Sequence, residues 1–133
     1  MKNVLYIVWT ERNNTGIPII DEQHRSIVAT INSLYYFLQE SHGLEISVST
    51  LIIIEQYAHI HFRTEERLMA EAGYPALNDH VLMHKNLVQK SKDLAYEFPL
   101  KNDPAIILKF LKEWWMSHIN NEDQKYVPHL IKD

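Results

Sequence analysis

Six side chains that could bind a metal ion interrupt the apolar stripes of this sequence. They are His24, His61, Glu65, His80, His84 and His118. His61 and Glu65 are four residues apart, as are His80 and His84, and side chains at that spacing lie on one face of a helix about 5–6 Å apart. Each pair could therefore ligate metal within one cluster.

The number of these side chains distinguishes them from ordinary core histidines. One inward imidazole with a carbonyl partner is common in helical proteins. Five imidazoles and a carboxylate without partners would each cost about 1–3 kcal/mol when buried, and the ionised group far more. Because a shared cation would resolve all of these costs together, the sequence predicts a buried metal centre.

The ligand types indicate two metal ions. Five histidines exceed what one tetrahedral zinc ion can use, whereas imidazole with carboxylate suits two octahedral first-row ions, of which iron is the usual choice for oxygen chemistry. A zinc-protease motif requires Glu directly after the first His, but Val81 follows His80. A ferritin-like site requires Glu-x-x-His on two helices, and Asp21 with His24 is the nearest approach to it.

Four periodic segments must position these ligands. Apolar residues recur every three or four positions over about 21–40, 47–72, 79–97 and 104–127, and the three Gly and five Pro fall almost wholly between the segments. Short connections leave consecutive helices side by side. We therefore expect a single all-α domain over 1–133, an antiparallel up-down-up-down four-helix bundle with an irregular N-terminal arm over 1–20.

Particular residues predict how the arm packs and where each helix begins or ends. We expect the arm to lay Trp9 and Ile17 against one end of the bundle. The expected boundary residues are Ser41, His42 and Gly43 after the first helix, Gly73 as a left-handed cap after the second, Asn78 or Asp79 as N-cap of the third, the loop 98–103 after it, Asp103 and Pro104 at the start of the fourth, and Pro128 at its end.

Composition excludes several classes of function. A net charge of −4 and a pI near 6.0 offer no basic surface for nucleic acid. The absence of cysteine removes disulfides, zinc–thiolate sites and iron–sulfur clusters. The apolar stretch over 4–9 is too short for membrane insertion and has no signal-peptide cleavage pattern, so the cytoplasm is the expected location.

The residues around these ligands resemble the hemerythrin family, and specifically its bacterial branch, the bacteriohemerythrins. The matching motifs are Trp9, Gly16-Ile17, Asp21-x-Gln23-His24, His61-Phe62-x-x-Glu65-Glu66, Tyr74-Pro75, His80-x-x-x-His84 and Trp114-x-x-x-His118-Ile119-x-x-x-Asp123-x-x-Tyr126. Together they span nearly the whole chain. Two departures stand outside the ligand positions: Thr15 replaces the valine that often precedes Gly-Ile, and Trp115 replaces the usual leucine.

The resemblance implies a non-haem di-iron centre that binds dioxygen reversibly and is not enzymatic. The implied iron ligands are His24, His61, His80, His84 and His118, with Glu65 and Asp123 bridging two iron ions that also share an oxo or hydroxo bridge. If His80, His84 and His118 share one iron, the ligand count leaves one open position on the iron of His24 and His61. Oxygen would be held there as hydroperoxide.

Asp123 is the one implied ligand that helical spacing does not favour. It follows His118 by five residues, which places it about 140° away on a regular helix. Glu122 would lie on the inward stripe instead. We therefore predict a local widening to an i to i+5 turn, a distortion that is frequent at functional sites and that would bring Asp123 inward.

Several interpretations stay open at this point. The site could serve oxygen carriage, storage or sensing, or it could belong to a di-iron enzyme that reduces oxygen, peroxide or nitric oxide, or to an iron storage or repair protein. The apolar residues one turn from the ligands, such as Ile27, Leu111 and Trp115, cannot transfer protons, which favours binding over turnover.

We expect His59 at the surface and Glu66 directed to solvent or to a basic residue such as Arg63. The sequence does not identify a protein partner, whether a signalling protein or one that consumes oxygen.

Overall fold

The computed structural model describes residues 4–39, 43–101 and 104–131 of the chain. Its elements are a short 3-10 helix (Glu11–Asn13), α1 (Pro18–Leu38), α2 (Gly43–Ala72), α3 (Leu77–Lys101), α4 (Pro104–Trp114), a π-helical segment (Trp115–Glu122) and α5 (Asp123–Leu130). The last three follow one another with helical backbone at both junctions and form the fourth helix of the bundle. No strand occurs in these ranges, and the predicted all-α four-helix bundle is confirmed.

Two apolar clusters fill the bundle, and the polar ligand candidates lie between them. The larger cluster comprises Ile7, Ile27, Val28, Ile31, Leu34, Leu51, Ile54, Ala58, Phe62, Ile107, Leu111, Trp114, Trp115 and Ile119. The smaller one comprises Met69, Tyr74 and Tyr126. Along α2, Glu65 lies between Phe62 of the first cluster and Met69 of the second. Apolar packing on both sides therefore holds the layer of polar side chains.

The N-terminal arm contacts both clusters, and not only one end of the bundle as the sequence predicts. Ile7 and Trp9 join the larger cluster, and Ile17 packs against the smaller one. Ile7 is tied to α1 because its N–H donates to Asn32 Oδ1 (2.8 Å), while Asn32 Nδ2 donates to the Ile7 carbonyl (2.9 Å). The arm therefore covers the side of the bundle as well as its end.

Thr15 has a definite role where the arm turns into α1. Its N–H (2.7 Å) and hydroxyl (2.8 Å) both donate to Asp21 Oδ1, and the Gly16 N–H donates to Asp21 Oδ2 (3.0 Å). A valine at this position could donate only through its backbone N–H, and the bond from the hydroxyl would be lost. The departure from the family pattern at this position thus adds a buried hydrogen bond.

The helix ends agree only in part with the sequence prediction. Gly73 is the predicted left-handed cap (φ 69°), with the Tyr74 N–H donating to the Met69 carbonyl (2.9 Å) in a Schellman arrangement. Pro104 is the first residue of α4, as predicted. The predicted roles of Ser41, His42 and Asp103 fall outside the described residues.

Several predicted boundaries are wrong. Helix α1 begins at Pro18, and α2 begins at Gly43 and not near residue 47, so Gly43 belongs to the second helix. Helix α3 begins at Leu77, so Asn78 and Asp79 lie in its first turn, where an acidic side chain is favourable near the helix N-terminus. The same helix continues to Lys101 through part of the predicted loop. Pro128 lies inside α5, which ends at Leu130, because a proline near a helix end removes a single backbone hydrogen bond.

None of the described helices combines the length and apolar character that a membrane span requires.

Candidate metal centre

All seven residues predicted to bind metal are buried and converge on one place. They are His24, His61, Glu65, His80, His84, His118 and Asp123, and none is more than 4% exposed. Their ligand atoms form two groups, each with all atoms within 4.8 Å of one another. One group contains His24 and His61, the other contains His80, His84 and His118, and both carboxylates belong to both groups.

Glu65 directs one oxygen to each group of histidines. Its Oε1 contacts His61 Nε2 closely and lies 3.7 Å from His24 Nε2. Its Oε2 lies 3.4 Å from His80 Nε2 and 3.7 Å from His84 Nε2. The carboxylate therefore spans the two groups.

Asp123 divides its oxygens in the same way. Oδ2 lies 3.2 Å from His24 Nε2 and 3.8 Å from His61 Nε2. Oδ1 lies 2.9 Å from His80 Nε2 and 3.3 Å from His118 Nε2. Two carboxylates with this arrangement can each bridge a pair of cations.

The backbone around Asp123 has the predicted i to i+5 turn. The segment Trp115–Glu122 is π-helical, and the Asp123 N–H donates to the carbonyl of His118. The wider turn rotates Asp123 into the interior, where it is fully buried. Glu122, which regular spacing would have placed inward, is ion-paired with Lys125 at 3.0 Å. The prediction of a local widening is therefore confirmed.

Unsatisfied polar atoms show that the site fits cations. The Nε2 atoms of His84 and His118 are buried without a hydrogen-bond partner, and both oxygens of Glu65 face histidine nitrogens. The Nε2 atoms of His24 and His61 face each other at 3.0 Å. Such orphaned groups are costly in a protein interior, and metal coordination by nitrogen and oxygen would satisfy them all.

The electrostatics of the site favour bound positive charge. Burial opposes protonation of His61, but the carboxylates of Glu65 and Asp123 outweigh it and raise the pKa of His61 to about 9. Burial likewise opposes protonation of His80, and hydrogen bonds to Asp123 and Glu65 raise its pKa to about 9. Burial and the neighbouring Asp123 oppose ionisation of Glu65, yet the histidines hold its pKa at about 2. Cations can replace these protons.

Two histidines are oriented by side chains behind them. The His61 Nδ1–H donates to Gln23 Oε1 (2.8 Å), and Gln23 Nε2 in turn donates to Thr64 Oγ1 (3.1 Å). The His84 Nδ1–H donates to Glu66 Oε2 (2.7 Å). The sequence interpretation that Glu66 faces solvent or a basic residue such as Arg63 missed this contact, although the side chain is 30% exposed. In the sequence, the adjacent pair Glu65-Glu66 is the signal for this role of Glu66. The helical period cannot show that α3 lies beside Glu66.

Aromatic side chains form much of the wall. The Trp115 ring lies edge-on to the His24 ring at 5.7 Å and 5.5 Å from the Trp9 ring. Phe62 stacks face to face on His84, with ring centroids 3.9 Å apart and 9° between the planes. Trp115 thus lies beside the first group of histidines, whereas Phe62 stacks on the second and also lies 6.0 Å from His61.

Tyr126 brings a phenol hydroxyl beside the site in addition to its buried aromatic surface. The residue is fully buried, its ring centroid lies 5.8 Å from that of His80, and its hydroxyl has no hydrogen-bond partner. Burial, together with the charges of Glu65 and Asp123, raises the pKa of Tyr126. The phenol therefore keeps its proton at neutral pH.

The remaining histidines of the described chain belong to neither group of ligand atoms. His59 is exposed, as expected from its position two residues from His61. The His129 ring packs against Tyr74 at 4.9 Å. His42 lies outside the described residues.

Comparison with known proteins agrees with this geometry. Residues 15–130 match the family described as hemerythrin HHE cation binding domain. A bacteriohemerythrin from Pseudomonas aeruginosa is 35% identical over 92% of this chain and 80% of its own length. One from Clostridium acetobutylicum is 28% identical over 90% of this chain and 98% of its own length. A crystal structure of wild-type hemerythrin superimposes with a TM-score of 0.84 at 26% identity, covering 94% of this chain and 98% of that one.

Proposed function

Because the chain belongs to the hemerythrin family of HHE cation-binding domains, we propose that it holds two iron ions and binds dioxygen reversibly at them. The observation that carries this proposal is the division of Glu65 and Asp123 between two groups of histidines. A single metal ion would leave one of those groups without a cation. The match over 15–130 supports treating 1–133 as one domain of this kind.

Each metal would have its own set of imidazoles. His24 and His61 would hold one iron, and His80, His84 and His118 the other, with Glu65 and Asp123 bridging both. An oxo or hydroxo group from solvent would complete the bridge. When bound, the irons would supply electrons and one open coordination position, which falls on the metal with fewer histidines.

The surroundings of His24 favour reversible binding over turnover. Trp115, whose ring lies 5.7 Å from that of His24, is essentially inaccessible to solvent and excludes water from this side of the site. The phenol of Tyr126, which lies beside His80, retains its proton because its pKa is raised, so it is a poor acid. Oxygen carriage, storage and sensing are all compatible with such a site.

Iron loading and oxygen exposure under controlled conditions would test this function. The protein is reconstituted with ferrous iron without oxygen, its metal content is measured, and it is then mixed rapidly with aerated buffer while optical spectra are recorded. We expect about two irons per chain and a visible band that forms with oxygen and disappears on deoxygenation. The exposed His59→Ala variant serves as the matched control and should behave like the wild type.

Two outcomes would contradict the proposal. Clearly fewer than about two irons per chain would remove the di-iron centre. Rapid bleaching with release of peroxide or water would indicate an oxygen-reducing enzyme on the same ligands.

A further inference from the structure

The two halves of the metal centre differ in the group that supports one of their histidines. Behind His84 stands the carboxylate of Glu66, with Oε2 2.7 Å from Nδ1. Behind His61 stands the neutral amide of Gln23, with Oε1 2.8 Å from Nδ1. The histidine side chains are similarly buried (3% and 0% exposed). The acceptors behind the two rings therefore differ in charge.

Both contacts fix the same tautomer. A carboxylate can only accept, so His84 carries its proton on Nδ1 and leaves Nε2 free, and that Nε2 has no other hydrogen-bond partner. The amide of Gln23 is held in place because its Nε2 donates to Thr64 Oγ1, whose hydroxyl donates to the carbonyl of Ile60 (3.0 Å). The difference between the halves is thus charge rather than tautomer.

The orientation of His84 has a second support that is independent of Glu66. Phe62 stacks on the ring with centroids 3.9 Å apart. This contact restricts the ring plane, so Glu66 is not needed for that part of the orientation. What distinguishes Glu66 from a neutral acceptor is its charge.

We infer that Glu66 is a positioning residue that makes the His80–His84–His118 metal site the more electron-rich of the two. A charge-assisted hydrogen bond to Nδ1–H strengthens electron donation from Nε2 to a bound ion. Greater donation stabilises iron(III) relative to iron(II), so the reduction potential of that ion falls. The inference rests on the proposed di-iron function and goes beyond it by assigning the two ions different potentials.

Glu66 also lies where the cluster approaches the surface. With His84 it lines a cleft of about 370 Å³ between α2 and α3, and its side chain is 30% exposed. The carboxylate therefore reaches solvent as well as the His84 ring. A neutral amide in the same place would keep the bond and lose the charge.

Substitutions of Glu66 separate the effect of its hydrogen bond from the effect of its charge. Glu66→Gln keeps an acceptor for Nδ1–H and removes the charge, whereas Glu66→Ala removes both. Glu71→Gln is the matched control, since Glu71 lies on the same helix, is 61% exposed and is ion-paired only with Arg67 among the described residues. The iron-loaded proteins are titrated with dithionite under spectroelectrochemical control, and iron affinity is measured by competition with a chelator.

We expect Glu66→Gln to raise the midpoint potential of one iron and leave the other near its wild-type value. One of the two irons should also bind about 10- to 100-fold more weakly. Glu71→Gln should change neither quantity. The reciprocal change Gln23→Glu should lower the potential of the other iron.

Three results discriminate among the explanations. If Glu66→Gln matches the wild type while Glu66→Ala does not, Glu66 only orients the ring and the inference is overturned. Equal shifts of both irons, or the same shift in Glu71→Gln, would indicate a general effect of net charge and would also overturn it. Failure of the wild type to bind about two irons would instead refute the proposed function, before any variant is compared.

Discussion

Two adjacent tryptophans illustrate how single residues define the halves of the centre. Trp115 lies beside His24, at 5.7 Å between ring centroids. Trp114 packs instead on Phe62 (6.1 Å), the residue that stacks on His84. Both indoles are almost fully buried, so they are matched in burial, but only the Trp115 ring lies directly beside His24.

Trp115→Ala should destabilise the protein and shorten the lifetime of its oxygen complex. Removing a buried tryptophan costs about 3–5 kcal/mol, and the space created next to His24 would admit water to the proposed oxygen site. Urea unfolding and the decay of the oxygenated spectrum measure the two effects. Trp114→Ala should lose similar stability with decay close to the wild type. Equal decay in both variants would contradict the assignment of the open position to the His24 side.

Among the secondary-structure elements, the π-helical segment selects the acidic residue that enters the site. The extra residue in the turn after His118 brings Asp123 inward and leaves Glu122 paired with Lys125. Both side chains are carboxylates adjacent in sequence. Their different roles depend on the local helix geometry alone.

Asp123→Asn should lower the iron content below two per chain, because it removes the negative charge and one of the oxygen ligands from a bridging position. Metal analysis after reconstitution measures the loss. Glu122→Gln is the control and should retain full iron content, with a stability change of about 0–1 kcal/mol, as expected for an exposed ion pair. The opposite ranking of the two variants would mean that Glu122, and not Asp123, faces the metal.

The turn between α2 and α3 is a second local determinant, because both helices carry ligands. Gly73 adopts φ +69°, and no atom lies within 4 Å of the position that a Cβ would occupy, so only backbone strain opposes a side chain there. Gly73→Ala should lower the free energy of unfolding by about 1–2 kcal/mol. Gly73→Asn should cost less, since asparagine tolerates this conformation. Equal unfolding midpoints for both variants in urea would contradict the strain argument.

The stability of the domain as a whole is tied to the charge state of the buried ligands. In protein stripped of metal by a chelator, His61 and His80 have pKa values raised from 6.5 to about 9. The stability they contribute is fully present below pH 6.5 and is lost as the pH rises through about 9. Iron-loaded protein should lack this dependence because its imidazoles bind metal without a proton.

Urea unfolding of the stripped protein between about pH 6.5 and 9.5 should therefore show a falling midpoint. His61→Gln should weaken the dependence, and the exposed His59→Gln should leave it unchanged. A flat profile in stripped wild-type protein would show that the carboxylates do not retain protons on these histidines.

The helices, and the faces on which most ligands lie, could be predicted from the amino-acid sequence. His61 with Glu65 and His80 with His84 follow from a four-residue spacing on apolar stripes, which is a property of each helix alone. Asp123 required the family resemblance and a predicted distortion of the helix. The all-α fold followed from the same periodicity.

Which residues of different helices contact one another could be learned only from the tertiary structure. There, Glu65 and Asp123 each divide their oxygens between two groups of histidines, Glu66 accepts a hydrogen bond from His84, and Trp9 and Ile17 contact different clusters. These contacts depend on the rotation and offset of one helix relative to its neighbours. Periodicity along a single helix sets which side chains point inward, but it contains no information about the partner they meet there.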